Sequence, residues 1–220
     1  YESRDPRLQM AVITPYAQYN GASSGIAHTY TLRWPYRGSD SAEPFDIRTD
    51  TNDKFYYLWR KFVPEGLEQT ERDTYGLDIP LIRYAEVLLL KAEALNEWGS
   101  THESEAIRCV NEVRRRAGHV ELNNATYPAT KVNGQSDLRE RIRNEYYWEI
   151  GGEDSMYFHE LRWGTWKDKK FDNNRNGLMQ MWGETTYTWY WLGDQCWSWP
   201  IPAKEMEMNS NLEQNEGWIN

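Results

Sequence analysis

Few of the features that identify a common enzyme or membrane protein are present in this sequence. Glycine-rich nucleotide-binding loops of the forms G-x-x-x-x-G-K-[ST] and G-x-G-x-x-G are absent. The four histidines, His28, His102, His119 and His159, include no pair at the i, i+4 spacing of a helical zinc site. Apolar runs such as Val87–Leu90 are far shorter than the ~20 residues that cross a bilayer. These absences argue against nucleotide-dependent enzymes, zinc enzymes and membrane-spanning helices.

Basic charge and cysteine are also scarce. The chain has 25 Lys and Arg against 34 Asp and Glu, for a net charge of −9, and an acidic chain of this kind argues against nucleic acid as a partner. The basic triplet Arg114–Arg116 is expected at a helix end, where cations favour the helix dipole. Cys109 and Cys196 fit no metal-ligand spacing. Cys109 is expected to be a buried free thiol, and its pairing with Cys196 stays open.

Aromatic residues are abundant by contrast. The 220 residues include 12 Trp and 15 Tyr, and seven of the tryptophans fall between Trp163 and Trp199. Many of these side chains are needed for a core. Trp and Tyr also present a flat apolar face with a polar edge, which suits the C–H face and hydroxyl groups of a sugar ring. The aromatic content therefore suits contact with a sugar ring as well as a core.

The segment 78–118 is predicted to be a helical hairpin around which the rest of the chain is organised. Asp78 and Pro80 suit the cap and first turn of its first helix, and Gly99 suits its end. A second helix is expected to end at Gly118. The apolar stripe of the first helix recurs at three- and four-residue steps, at Leu81, Tyr84, Ala85, Leu88, Ala92 and Leu95. Two antiparallel helices with small residues at their crossing resemble a tetratricopeptide-type unit.

Two regions are predicted around this hairpin. Residues 1–76 show little helical period and read as an irregular lobe, with short strands at Tyr30–Tyr36 and Phe55–Val63 that make it a candidate ligand-presenting region. Residues 77–220 read as a helical scaffold. The scaffold comprises the hairpin 78–118, helices over 136–164, an aromatic loop-rich insertion over 165–198 and a C-terminal segment over 199–220. The expected fold is mainly α, with tetratricopeptide-like helix pairs and a loop-rich lobe containing short strands.

Three sequence blocks resemble the SusD/RagB family of glycan-binding outer-membrane lipoproteins. The first is the hairpin itself, at Pro80–Glu97 and Glu105–Gly118. The second runs from Leu138 to Trp163 and reads LRERIRNEYYWEIGGEDSMYFHELRW. The third is WPIPAKE at 199–205, followed by NSNLEQNEGW at 209–218. The blocks stand in family order along the chain.

The second and third blocks depart from the family pattern at five positions. Asp154 stands where Gly is usual, Met156 where Arg is usual and His159 where Asp is usual. Ser210 and Glu216 replace two prolines. An Arg–Asp contact typical of the family is therefore expected to be missing or replaced.

The resemblance implies a surface protein that captures an oligosaccharide or polysaccharide and passes it to a TonB-dependent, SusC-like transporter. It implies an outer-membrane location through a lipid anchor outside this chain. It also implies that the chain belongs to one domain of a protein whose N-terminal half precedes Tyr1. No bond cleavage, cofactor or metal is expected. Two alternatives stay open, a carbohydrate-active hydrolase on a helical scaffold and a helical-repeat scaffold that binds only proteins.

The candidate ligand contacts are aromatic residues in the two irregular segments, because sugar platforms are commonly presented on loops of a rigid scaffold. In the first segment Pro35 stiffens the chain beside Trp34, and Asp40 is a candidate hydrogen-bond partner. In the second segment, alternation at Tyr187, Trp189 and Trp191 places these rings on one face of a strand. The candidate contacts are Trp34, Tyr36, Tyr30, Asp40, Trp189 and Trp191. The first group is favoured over the second.

Carboxylates at helical spacing are the main observation for a hydrolase. Glu145, Glu149 and Glu153 recur every four residues, and a glycosidase needs two carboxyl groups, one of them held neutral. Ion pairs with Arg139, Arg141 and Arg143 on the same helix are the simpler expectation. Glu86, Glu93 and Arg83 are likewise expected to be structural. The segment 172–176 carries oxygen ligands without a full calcium-loop spacing.

Overall fold

Helices predominate and strands are short in the computed structural model, which describes residues 5–14, 17–23, 26–33, 46–48, 58–63, 65, 78–153, 155–171, 191 and 193–218. The helices are α1 (Arg7–Ala11), α2 (Tyr84–Trp98), α3 (Glu103–Arg116), α4 (Gln135–Ile150), α5 (Ser155–Arg162), α6 (Trp166–Phe171) and α7 (Ala203–Met208). The strands are β1 (Val12–Ile13), β2 (Gln18–Ser23), β3 (Ile26–Arg33), β4 (Asp46–Arg48) and β5 (Leu58–Trp59). Short 3-10 helices lie at Ser100–His102, Pro128–Thr130 and Asp194–Trp197. The mainly α architecture predicted from the sequence is confirmed.

The predicted hairpin forms the core of the first of two units, Tyr1–His159. Helix α2 packs against both α3 and α4. Ala92 of α2 and Ala106 of α3 are fully buried, and their small side chains let the two backbones approach closely. Leu88 and Leu95 of α2 are buried with them. Gly118, at a φ of +69°, follows the end of α3 as predicted.

The start of the first hairpin helix was predicted wrongly. Helix α2 begins at Tyr84, after Arg83, whose backbone is extended at φ −108° and ψ 151°. Leu81, placed on the apolar stripe, is 88% exposed. The guanidinium of Arg83 is held by carboxylates of Glu149 and Glu153. These distant contacts place the turn into the helix at Arg83 and override the local signal from Asp78 and Pro80.

Helix α4 follows its predicted pattern closely. It begins at Gln135, one residue before the predicted start. The sequence predicts an apolar stripe for it at four-residue steps, and all the stripe residues are fully buried, at Leu138, Ile142, Tyr146 and Ile150. Helix α5 ends before Gly164, which has a φ of +68° and takes the left-handed conformation that glycine tolerates best. The apolar period therefore located this part of the core correctly.

The strands of the N-terminal region form two small sheets. β2 and β3 pair antiparallel, with Tyr19 opposite Tyr30, and β4 lies parallel to β3. β1 and β5 pair antiparallel, with Val12 opposite Trp59. β3 includes the first four residues of the predicted strand 30–36, and β5 lies inside the predicted strand 55–63.

The second unit, Glu160–Asn220, carries helices α6 and α7. α6 lies inside the segment 165–198 that was expected to be loop-rich. The side-chain amide of Gln214 exchanges hydrogen bonds with the backbone of Ile201, at 2.7 and 2.9 Å. Both cysteines are free thiols, and Cys109 is buried. Among the described helices, none combines the length and apolar character needed to cross a bilayer.

Candidate functional site

The structure describes two of the six candidate ligand contacts. Tyr30 lies on β3 and is half-buried, with the ring of His28 6.4 Å away. Trp191 is half-buried in the second unit. Trp34, Tyr36, Asp40 and Trp189 lie outside the described residues.

Trp191 belongs to a cluster of three tryptophans, Trp166, Trp191 and Trp197, which we call the tryptophan cluster. The ring centroids of Trp191 and Trp197 are 4.9 Å apart, and Trp166 lies 5.9 Å from the first and 6.0 Å from the second. Tilted and edge-to-face contacts of this kind stabilise a pair of rings by more than the burial of their surface alone. Trp197 nonetheless remains 48% exposed. The cluster therefore presents an aromatic surface to solvent from a fixed position.

A charged pair lies beside the tryptophan cluster. Nζ of Lys167 is 2.9 Å from Oδ1 of Asp194 and 4.8 Å from the ring centroid of Trp191. Nε1 of Trp191 donates a hydrogen bond of 3.2 Å to the same Asp194 oxygen. The hydrogen bonds from Lys167 and then Trp191 lower the pKa of Asp194. An ionised carboxylate and an ammonium group next to aromatic faces supply the acceptor and donor that sugar hydroxyls need.

Local structure explains how the tryptophan cluster is held. Trp166 begins α6, and Trp197 ends the 3-10 helix Asp194–Trp197. Nε1 of Trp218 donates hydrogen bonds to the carbonyl of Ser198 at 2.8 Å and to that of Gln195 at 3.1 Å. The C-terminal segment thus fixes the turn that carries Trp197. Trp166, Trp197, Lys167 and Asp194 were not predicted; the density of tryptophan over 163–199 was the available signal.

The carboxylates of Glu145 and Glu149 on α4 form ion pairs with arginines other than those predicted. Arg139 binds Glu97, Arg141 binds Asp137, and Arg143 binds Glu140. The buried carboxylates take their partners from elsewhere in the chain. Glu145 contacts Arg7 and Arg114, both at 2.8 Å, and Glu149 contacts Arg7, Arg83 and Arg116 at 2.6 to 3.1 Å. The predicted same-helix pairing of Glu145 and Glu149 is wrong because non-local arginines reach these groups.

Glu153 completes the series and is held ionised. Its carboxylate lies 2.7 Å from Nη2 of Arg83 and 2.5 Å from Nζ of Lys61. Burial alone would raise the pKa of Glu153, but the hydrogen bonds from Arg83 and Lys61 outweigh it and lower the pKa. A glycosidase acid needs the opposite shift, toward a neutral carboxyl group. This arrangement suits a structural ion network.

One further motif needs its structural context. Gly21–Gly25 reads GASSG and fits the pattern G-x-S-x-G. In a serine hydrolase this serine occupies a turn from a strand into a helix. Here Ser23 ends β2 and pairs with Ile26 of the antiparallel β3. Ser23 therefore lies in a pair of antiparallel strands and lacks the strand-to-helix context of a catalytic serine.

The described residues also contain no group of three or more His, Cys, Asp and Glu side chains placed to hold a metal ion. His159 contacts Glu86 instead, with Nε2 2.8 Å from Oε1. The candidate calcium segment 172–176 lies outside the described residues.

Comparisons with known proteins give a consistent family assignment. A family model described as the SusD family matches residues 1–218. SusD-like protein P38 of Formosa agariphila is 32% identical over 139 residues, which are 63% of this chain and 24% of that protein. Starch-binding protein SusD of Bacteroides thetaiotaomicron is 28% identical over 161 residues, which are 73% of this chain and 25% of that protein. The chain thus spans about a quarter of the length of these relatives.

A solved structure shares the fold. The crystal structure of a SusD-like protein from Bacteroides fragilis superposes with a TM-score of 0.65 at 22% identity. The match covers 99% of this chain and 40% of that one.

Proposed function

The chain belongs to the SusD family, and from this premise we propose that the protein of which it is part binds a glycan at the cell surface and passes it to a TonB-dependent outer-membrane transporter. The family match over residues 1–218 is the observation that carries the proposal. The name of one relative, a starch-binding protein, supports carbohydrate as the ligand class. A lipid anchor elsewhere in the longer protein would hold it at the outer membrane.

We further propose that aromatic side chains form the glycan contacts. Trp34, Tyr36, Tyr30 and Asp40 are the proposed contacts in the first unit. Trp189 and Trp191 are the proposed contacts in the second. The geometry around Trp191 supports the second group, because exposed Trp197 and the Lys167–Asp194 pair accompany it. An aromatic face with charged hydrogen-bonding groups at its edge is suited to stacking a sugar ring and binding its hydroxyls.

The ion network supports a binding role for the helical scaffold. The carboxylates of Glu145, Glu149 and Glu153 are engaged by arginine or lysine side chains, and the pKa of Glu153 is lowered. These groups stabilise the packing of α4 and are poorly suited to donate a proton to a glycosidic oxygen. The proposal therefore assigns capture without cleavage.

A panel of soluble polysaccharides tests the ligand class. The full-length protein is run through native gels that contain starch, other α- and β-glucans, galactans or host glycans, beside a non-binding protein of similar size. Retardation by at least one glycan is the expected result. Copurification of a TonB-dependent transporter from detergent-solubilised outer membranes tests the partner. Migration that is unaffected by every glycan, together with purification without a transporter, contradicts the proposal.

A further inference from the structure

A cavity whose chemistry differs from that of the tryptophan cluster lies in the first unit. It has a volume of about 410 Å³, within the range of ligand pockets of roughly 300–1,000 Å³. Four of its lining side chains are basic: Arg7, Lys61, Arg83 and Arg116. A cationic cavity is unexpected in a chain with a net charge of −9.

Among the residues that the structure describes, the charges around this cavity do not balance. The four basic residues and Arg114 contact four carboxylates, those of Asp5, Glu145, Glu149 and Glu153. His119 lies 3.9 Å from Asp5, and burial lowers the pKa of its imidazole, so it adds no charge at neutral pH. Counted over these described side chains, one positive charge is left over in a partly buried network, where an unbalanced charge is costly.

Arg116 is the most exposed cation of this described network. Lys61 directs its ammonium to the carbonyls of Glu149 and Gly151 and to Glu153. Arg116 binds Glu149 through Nη2 alone, and its Nε and Nη1 atoms have no hydrogen-bond partner among the described residues. Its side chain is 61% exposed. Arg116 therefore offers unengaged donors on a cavity-lining, largely exposed side chain.

The cavity also has apolar lining residues. Trp148 lines it and is 43% exposed, and Met10 and Ala117 lie on the same cavity surface. A guanidinium donor that is not already engaged makes a strong charge-assisted hydrogen bond to a carboxylate. A neighbouring indole ring packs against the C–H face of a sugar.

From this combination we propose that the cavity binds a carboxylate-bearing sugar of one or two rings, with its carboxylate on Arg116 and a ring against Trp148. The cavity shares no lining residue with the tryptophan cluster, and the proposed binding of an acidic sugar does not depend on neutral-glycan binding at that cluster. Binding should weaken as salt rises, since part of the attraction is between exposed charges.

Calorimetric titration of the full-length protein with digalacturonate and with neutral 1,4-linked digalactose tests the site. Digalacturonate should bind and digalactose should bind much more weakly. Arg116→Gln should weaken digalacturonate binding about tenfold or more, as expected for loss of a charged hydrogen-bonding partner. Arg115→Gln is the matched control, because Arg115 is on the same helix, is 64% exposed and pairs with Glu121. The control should change affinity by less than about twofold.

One further variant makes the test decisive. Trp148→Ala should also weaken digalacturonate binding, and it replaces Arg116→Gln if circular dichroism shows that variant to be misfolded. Equal affinity for the acidic and neutral sugars, equal effects of Arg116→Gln and Arg115→Gln, or unchanged binding by Trp148→Ala would each overturn the proposal. Failure of the neutral-glycan panel leaves this result standing, so the two proposals are tested separately.

Discussion

His159 on α5 contacts Glu86 on α2 through a pair of nearly buried side chains, with Nε2 2.8 Å from Oε1 and each side chain 8% exposed. The ring of Tyr146 lies 4.5 Å from that of His159. His159 stands where the family pattern has Asp, and Met156, where the pattern has Arg, is buried. The two departures are consistent with each other. An apolar side chain enters the core, and an imidazole binds a carboxylate of the neighbouring helix.

Removal of this imidazole should destabilise the protein. His159→Ala takes away a hydrogen-bond partner of the buried Glu86 carboxylate, so the free energy of unfolding should fall by about 2–4 kcal/mol. Phe158→Ala is the control, because Phe158 is adjacent and 66% exposed. It should change stability by less than about 0.5 kcal/mol. Urea unfolding followed by circular dichroism measures both, and equal stability of the two variants would count against the structural role of His159.

Arg83 should contribute to stability through its four contacts with α4 and the residues after it. Its guanidinium binds both carboxylate oxygens of Glu153, Oε1 of Glu149 and the carbonyl of Glu149. Arg83→Ala should lower the free energy of unfolding by about 3 kcal/mol, because it leaves two mostly buried carboxylates short of a cation. Arg139→Ala, which removes the more exposed pair with Glu97, should cost less than about 1 kcal/mol. If Arg83→Ala leaves the melting temperature unchanged and abolishes binding of neutral glycans, Arg83 belongs to the neutral-glycan binding site instead.

Helix α4 and the partners of Glu149 show which features of the structure the sequence could predict. Helix α4 and its buried stripe follow from apolar periodicity, which is a local property. The partners of Glu149 do not, because Arg7 and Arg83 are 142 and 66 residues away and only the tertiary fold brings them together. The start of α2 was misplaced for the same reason. The tryptophan cluster likewise depends on residues 31 positions apart in Trp166 and Trp197, so the sequence indicated aromatic enrichment without its arrangement.

Acid should weaken the ion network in a defined direction. The folded-state pKa of Glu153 is lowered from its ordinary value of 4.5, so the unfolded chain binds the proton more readily. Its contribution to stability is therefore fully present above pH 4.5 and is lost as the pH falls through the folded pKa. The pKa of Asp5 is also lowered and adds to the same trend. Melting temperature should fall steeply below about pH 4.5.

Glu153→Gln isolates this effect. It should flatten the dependence of the melting temperature on pH in the acid range while lowering stability at neutral pH. Glu140→Gln, which removes a 63% exposed carboxylate of α4, is the matched control. An acid slope that is the same in Glu153→Gln and in the native protein would show that the network does not set the acid stability.

The tryptophan cluster should contribute to glycan affinity. Trp197→Ala should weaken binding of the glycan identified by the panel by about 1–3 kcal/mol, the scale of one lost aromatic contact. Trp199→Ala is the control, since Trp199 is 85% exposed and does not belong to the cluster. Trp34→Ala and Tyr36→Ala should weaken binding on the same scale if the first unit also contacts the glycan. Native affinity in Trp197→Ala, Trp34→Ala and Tyr36→Ala would place the glycan elsewhere.

The most direct test of capture without cleavage is a titration that recovers its ligand. The full-length protein is titrated calorimetrically with a defined oligosaccharide of the glycan identified by the panel, incubated overnight, and the sugar is then separated and sized by chromatography. Our account predicts saturable binding and recovery of the oligosaccharide at its original length. Recovery of shortened products that scale with protein concentration, or the absence of a binding isotherm, would contradict it.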